Sequence, residues 1–474
     1  MAQRASEAPK NRAHANDLNV AQSHRMTADR SMRNEWAVAL IRAHRTPAVT
    51  FDNLRSFVGV FLILGVVWLL SANRKDTPFR SIGLALALQL TVGVLVFALP
   101  PLRQALSGVT YIVKALQAAT GEGVTFLFGY LGGAPTPYEE AYPENGFLLA
   151  FQVLPLILVI STLAALFWRW GILSRVCRGL GYIFERTLGL SGPVGLATSA
   201  SIFLGMIEAP MIVRPYLAKM SRSDIFLIMT TAMSTIAGTM MALYIAMMER
   251  TVPEAAAHVF VASFMAAPGS VAIARLMFPA AAEAGRDAHK PPPKLYTSTM
   301  DAFSRGVQDG INIYISVIGM ILVSVALIAL INGGLGALVP ELDGAPLSFE
   351  RILGWVFAPV MYLLGVPWRE AADAGVLLGT KVVLNELLAF IQLSTMEEGA
   401  LSARTRVMMI YVLCGFANFS AAAIMIGGMS AMCPDRRPDF LDLGLKSVFS
   451  GSMTNLLNAA LIGAAPAALT GLYA

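Results

Sequence analysis

Apolar residues fill this chain in blocks of about twenty, the length a helix needs to cross a hydrocarbon layer. Eight blocks are read, at 55–72, 82–99, 147–168, 225–247, 256–278, 311–338, 403–432 and 443–470. Residues 102–130 are amphipathic instead and predict a helix lying at an interface. Two further stretches, 172–219 and 349–396, are hydrophobic but interrupted by Gly, Pro and charge. They predict hairpins that enter the membrane and turn back. Each is followed by a span with a polar interruption: "TTAMSTIAGTMM" (230–241) after the first and "GFANFSAAA" (415–423) after the second. The expected fold class is an all-α polytopic membrane protein of about eight transmembrane helices plus two opposed re-entrant hairpins in an inverted repeat.

Composition agrees with the pattern. Of 474 residues, 56% are hydrophobic and 14% charged, against about 25% charged in soluble domains; mean hydropathy is +0.63. The net charge of +5 gives no case for a nucleic-acid partner; the partner that composition demands is the lipid bilayer. Cys177, Cys414 and Cys433 lack metal-site or disulfide spacing. His14, His24, His44, His258 and His289 avoid the middle of any apolar block, which argues against a haem or catalytic zinc. There is no phosphate loop and no HExxH, so no enzyme is expected. The first fifty or so residues are polar and mixed in charge. They read as a disordered tail, with Met26 and Met32 as alternative starts.

Lys and Arg crowd "NRKDTPFR" (73–80), 169–186, "RPYLAKMSR" (214–222), "GRDAHKPPPK" (285–294) and "PDRRPDF" (434–440), whereas 131–146 and 339–350 carry none. By the positive-inside rule, this alternation places both termini outside a cytoplasmic (inner) membrane. The basic tail before residue 55 opposes that orientation and is outvoted.

Unwound backbone in hydrocarbon is tolerated where protein or a watery cavity surrounds it, so the broken segments should line a site. Inverted repeats of discontinuous helices are the architecture of secondary transporters. Four polar clusters fall on the breaks: Glu208 with Met206 and Ile207; Ser234, Thr235 and Thr239 around Gly238; Lys381, Asn385 and Glu386 in "GTKVVLNELLAF"; and Asn418 with Ser420. A charge at a helix centre costs roughly 2.5–3.5 kcal/mol on insertion scales and is usually retained for a ligand, ion or proton. The structural alternative is that Glu208 pairs with Arg214 or Lys381, that Asn418 bridges two helices, and that the hydroxyls bond their own helices.

"GMIEAPMIVRPY", "AMSTIAGTMMALY", "KVVLNELLAF", "GFANFS" and "PDRRPDFLDLGLKS" resemble, in order, the signature segments of the concentrative nucleoside transporter family. "LLSANRK" (69–75) and "LAFQVLP" (149–155) match its first and third helices, and the resemblance covers about 56–470. It implies a homotrimeric, cation-coupled nucleoside symporter with no organic cofactor, whose substrate domain moves like an elevator against a scaffold. On that basis the chain divides into a tail (1–54), N-terminal scaffold and interfacial helices (55–146), hairpin one with its transport helices (147–255), scaffold helices (256–345), hairpin two with its transport helix (346–442) and a C-terminal helix (443–474).

Carried over residue by residue, the resemblance implies substrate contacts from Met206, Ile207, Glu208, Met240, Glu386, Asn418 and Ala421. Members usually carry Gln and Thr or Ser where Met206 and Ile207 stand, and many carry Ser where Ala421 stands. Ribose recognition is thus expected to be intact and base recognition atypical; another ribosyl solute, or a passive channel on the same scaffold, is the alternative. The implied coupling-ion ligands are Ser201, the Leu204 carbonyl, Thr235 and the Ile236 carbonyl. Ser201 replaces the family's Asn, and this shorter ligand tilts the expected cation from Na+ towards H+.

Overall fold

A computed structural model describes residues 50–465 apart from 140–145, 250, 253, 280–294, 343 and 345. The polar tail, the candidate starts within it, the basic loop 285–294 and the end of the last predicted span lie outside the described residues.

The described residues are helical, with one isolated bridge between Glu398 and Leu401. In chain order the helices are α1 (Phe51–Leu69), α2 (Phe79–Ala98), α3 (Pro100–Phe128), α4 (Leu156–Arg169), α5 (Ile172–Leu188), α6 (Gly192–Ala200), α7 (Glu208–Ile212), α8 (Arg222–Ser234), α9 (Gly238–Met248) and α10 (Ala255–Met277). They continue as α11 (Thr299–Leu338), α12 (Phe349–Leu363), α13 (Trp368–Val383), α14 (Glu386–Thr395), α15 (Ala403–Leu413), α16 (Phe419–Met432) and α17 (Arg437–Ala464). Short turns at Leu149–Gln152 and Arg214–Leu217 flank α4 and α7.

Six of the predicted blocks become helices, or helix pairs, long and apolar enough to cross a membrane. The block at 225–247 is two half-helices, α8 and α9, because Thr235 and Ala237 take extended backbone. The block at 403–432 is likewise split into α15 and α16 by extended Asn418. Both polar interruptions noted in the sequence are therefore breaks. The last block is α17, whose first turns carry Arg437, Asp439, Asp442 and Lys446 and whose later turns are buried. In hairpin two, α12 and α13 bend by 118° where Leu363 gives way to Trp368.

The element order of α4–α10 recurs in α11–α17: a long helix, a two-helix hairpin with a broken tip, a split helix and a closing helix. Helix α17 is the hub, packed on α1, α8, α10, α15 and α16. Its polar residues face those neighbours: Ser450 bonds Thr230 of α8 at 2.7 Å, and Asn458 accepts from Gln89 of α2 at 2.6 Å. Helices α4 and α11 pair closely. Gly306 and Gly310 make that possible, since a Cβ at either would lie within 2.8 Å of the α4 backbone at Thr162 or Leu158. Away from α4, α11 is exposed apolar surface: Ile315, Leu322, Leu330 and Leu338 are all open.

Candidate functional site

Two helix ends meet at the centre. Helix α8 stops at Ser234, and Thr235 turns its hydroxyl back to the Thr231 carbonyl at 2.8 Å. Helix α15 stops at Leu413 with Cys414 as its cap. A helix end leaves carbonyls without intrahelical donors. Asn455 of α17 supplies both ends, its Nδ2 donating to the Ser234 carbonyl at 2.8 Å and to the Cys414 carbonyl at 2.7 Å. Lys381, at 1% exposure, donates from Nζ to the Val412 carbonyl at 2.6 Å and to Asn455 Oδ1 at 2.7 Å. Gly415 is required here, because a Cβ would come within 2.8 Å of the Ser234 carbonyl.

The second half of each hairpin begins with a carboxylate: Glu208 opens α7 and Glu386 opens α14. Glu386 is buried and accepts at both oxygens, from Tyr244 Oη of α9 at 3.0 Å and from Asn418 Nδ2 at 2.8 Å. Asn418 also caps α16, its Oδ1 accepting from the Ala421 amide at 2.7 Å. Ser420 donates to that same oxygen at 2.8 Å. Tyr244 is fixed by stacking on Phe390, with ring centroids 4.2 Å apart. Met240, one turn before Tyr244 on α9, is buried. Asn385 caps α14 through Oδ1 at 2.8 Å, while its buried Nδ2 has no partner.

Glu386, Asn418 and Ala421 are thus brought together. Tyr244 joins them, and the sequence reading missed it; an isolated phenol in an otherwise apolar, buried helix was the available signal. Among the described residues, Glu208 shares no hydrogen bond with this cluster. It is exposed, and its carboxylate folds back over Gly205. It does not pair with Arg214, which donates to the Met432 carbonyl at 3.3 Å, nor with Lys381. Glu208 is therefore not structural glue, whereas Lys381 is bonded structure. Hairpin one also meets the second repeat through Ile207, packed against Gly428 of α16. Met206 beside it is half-buried.

Around the first break, the Phe203 carbonyl accepts from the Gly238 amide at 2.9 Å, pinning the hairpin tip to the start of α9. Ser201 is buried and donates to the Ala197 carbonyl at 3.0 Å. Its oxygen and that of Thr235 are left with acceptor capacity. Among the described residues, the Leu204 and Ile236 carbonyls accept no hydrogen bond. All four are neutral oxygens, the ligand type that a small hard cation takes. Ser234 Oγ bonds the Thr231 carbonyl at 3.2 Å, as its own-helix alternative expects. Among the described residues, no group of three His, Cys, Asp or Glu could hold a metal. His258 is buried in the first turn of α10 against Tyr411, Nδ1 to Oη 3.2 Å.

Paired broken helices, each restarted beside a hairpin tip, with carbonyls and side-chain polar groups turned inward, define a membrane transporter of the secondary type. Family models for the Na+ dependent nucleoside transporter match residues 58–131 (N-terminus) and 258–463 (C-terminus), and one for nucleoside recognition matches 150–251. The chain belongs to the concentrative nucleoside transporter family. It is 32% identical over 417 residues to the nucleoside permease NupC of Helicobacter pylori, covering 87% of this chain and 98% of that one. It is 33% identical over 419 residues to the putative nucleoside permease NupX of Escherichia coli, covering 87% and 98%. Among solved structures it is similar to CNTnw in an inward-facing substrate-bound state, with a TM-score of 0.80 and 35% identity over 89% of this chain and 99% of that one. These relatives are transporters, not enzymes.

Proposed function

We propose that this chain imports nucleosides across the cytoplasmic membrane together with a cation, binding the ribose at Glu386. The observation that carries this is the bonded pair of Glu386 and Asn418 beside the unpartnered Asn385 amide. A carboxylate has about four acceptor sites; Tyr244 and Asn418 fill two, which leaves two for sugar hydroxyls. Accumulation of radiolabelled uridine, adenosine or inosine above the outside concentration, in liposomes holding the purified chain, is the expected result. Equilibration without accumulation would make the chain a passive channel, and no uptake of any nucleoside would point to another ribosyl solute.

Met206 and Ile207 give the base an apolar wall. Such a wall discriminates weakly, whereas a site built to hydrogen-bond discriminates strongly. Rates for the three nucleosides are expected to lie close together. Met206→Gln combined with Ile207→Thr should then spread them by about tenfold, the value of one hydrogen bond near 1.4 kcal/mol. Strong uridine selectivity in the unmodified chain would refute this reading of the tip.

For the cation, the oxygens of Ser201, Leu204, Thr235 and Ile236 favour Na+. Uptake is therefore expected to fall at least about tenfold when sodium is replaced by choline at fixed pH, a coupling of about 1.4 kcal/mol. Uptake unchanged without sodium but driven by an inward pH gradient would restore the proton.

Movement follows from packing. Helix α11 belongs to the static scaffold, its exposed apolar side covered by second and third copies of the chain in a homotrimer. Arg404 binds Ser56 of α1, the Gly365 carbonyl at the hairpin-two bend and the Gly463 carbonyl of α17 at 2.7–2.8 Å, which locks α1 to site-bearing elements. Both hairpins are re-entrant, both termini face outside, and an elevator-like displacement of this block carries substrate across.

A further inference from the structure

The two repeats treat their broken helices differently. In the first, the end of α6 and the break of α8 present Ser201, Thr235 and two carbonyls without donors, the arrangement read above as the seat of a transported cation. The corresponding place in the second repeat lies between the last turn of α13 and the break of α15. A charged group already stands there. Lys381 leaves the last turn of α13 and sets its ammonium on the Val412 carbonyl and on Asn455 Oδ1. The Val412 carbonyl lies at the C-terminal end of α15, where the helix dipole favours positive charge. Among the described residues no ion pair joins Lys381 to Glu386 or Glu208, so the charge is spent on helix-end oxygens. Asn455 ties the two places together, since one amide donates to both breaks.

We propose that Lys381 is a tethered cation, its ammonium filling in the second repeat the position that the transported ion takes in the first. It is a positioning residue for the second break, and it commits the chain to one fewer free cation per substrate than its repeat architecture could hold. The proposal rests on the cation reading of the first break.

The test compares wild type with Lys381→Met, Lys381→Gln and Thr235→Val as full chains in liposomes and in detergent. Uptake is recorded against sodium concentration, and the thermal midpoint against sodium, methylammonium and choline. In Lys381→Met and Lys381→Gln, uptake at low salt is expected to fall about tenfold or more, as befits buried oxygens left without a donor. Methylammonium or sodium, but not choline, should then raise the midpoint of these variants without moving that of Thr235→Val in methylammonium. The sodium dependence of their uptake should steepen by about one unit of Hill coefficient, as for an added linked site. Unchanged uptake, a loss that no small cation restores, or a chain unfolded in every cation would each overturn the proposal. The first-break reading is judged separately: it fails if wild type shows no cation response, whatever methylammonium does to Lys381→Met.

Discussion

Glu386→Gln should reduce nucleoside uptake by about a hundredfold while leaving the chain folded. The substitution keeps the volume of the side chain but removes its charge and half of its acceptor capacity. Tyr244 and Asn418 both donate to Glu386, so a Gln amide must point its NH2 towards one existing donor or into the sugar's place. Hydrogen bonds to a charged acceptor are worth roughly 1.5–3 kcal/mol each, and about 2.7 kcal/mol corresponds to a hundredfold. The fold should survive because Tyr244 stays stacked on Phe390 and Asn418 still caps α16. Equilibrium binding and uptake, read beside the thermal midpoint, separate the two effects. A variant that transports within twofold of wild type would remove the sugar from Glu386.

The largest effect on stability is expected at Asn455. Asn455→Leu conserves approximate volume but strands the Ser234 and Cys414 carbonyls and removes one of the two acceptors of Lys381. Each buried group left without its partner costs about 1–3 kcal/mol, so a loss of roughly 3–5 kcal/mol follows, in the range diagnostic of a broken buried network. The thermal midpoint in detergent should drop well below that of a control substitution such as Leu445→Ala on the exposed side of the same helix. Asn455→Asp should fall between, because it keeps the acceptor for Lys381 and loses both donated bonds. A midpoint for Asn455→Leu equal to that of the control would show that the two breaks do not depend on this residue.

Much of this architecture was legible in the sequence, for an identifiable reason. A bilayer imposes both a length and an apolarity on a helix, so the blocks at 55–72 and 256–278 differ from α1 and α10 by a few residues at their ends. The breaks were legible too, because "TTAMSTIAGTMM" and "GFANFSAAA" set polar residues and glycine where lipid would penalise them. Glu386 with Asn418 was readable as a carboxylate and an amide on two such breaks. What escaped was the identity of partners. Tyr244 stands out in apolar α9 without saying which carboxylate it will meet, and Asn455 lies among residues of similar type, so nothing local says which polar group of "SGSMTNLLN" will meet two helix ends. Glu208 is a different case. Its cost in hydrocarbon marked it as functional, but the direction of its side chain, back over Gly205, depends on how α7 leaves the tip.

The shared amide of Asn455 also has a mechanical consequence. With one side chain bonded to both interrupted helices, neither can flex about its interruption without straining the other, so the centre behaves as a single rigid keystone. The tip of hairpin one lies outside this keystone, moored through the Phe203 carbonyl and the Gly238 amide.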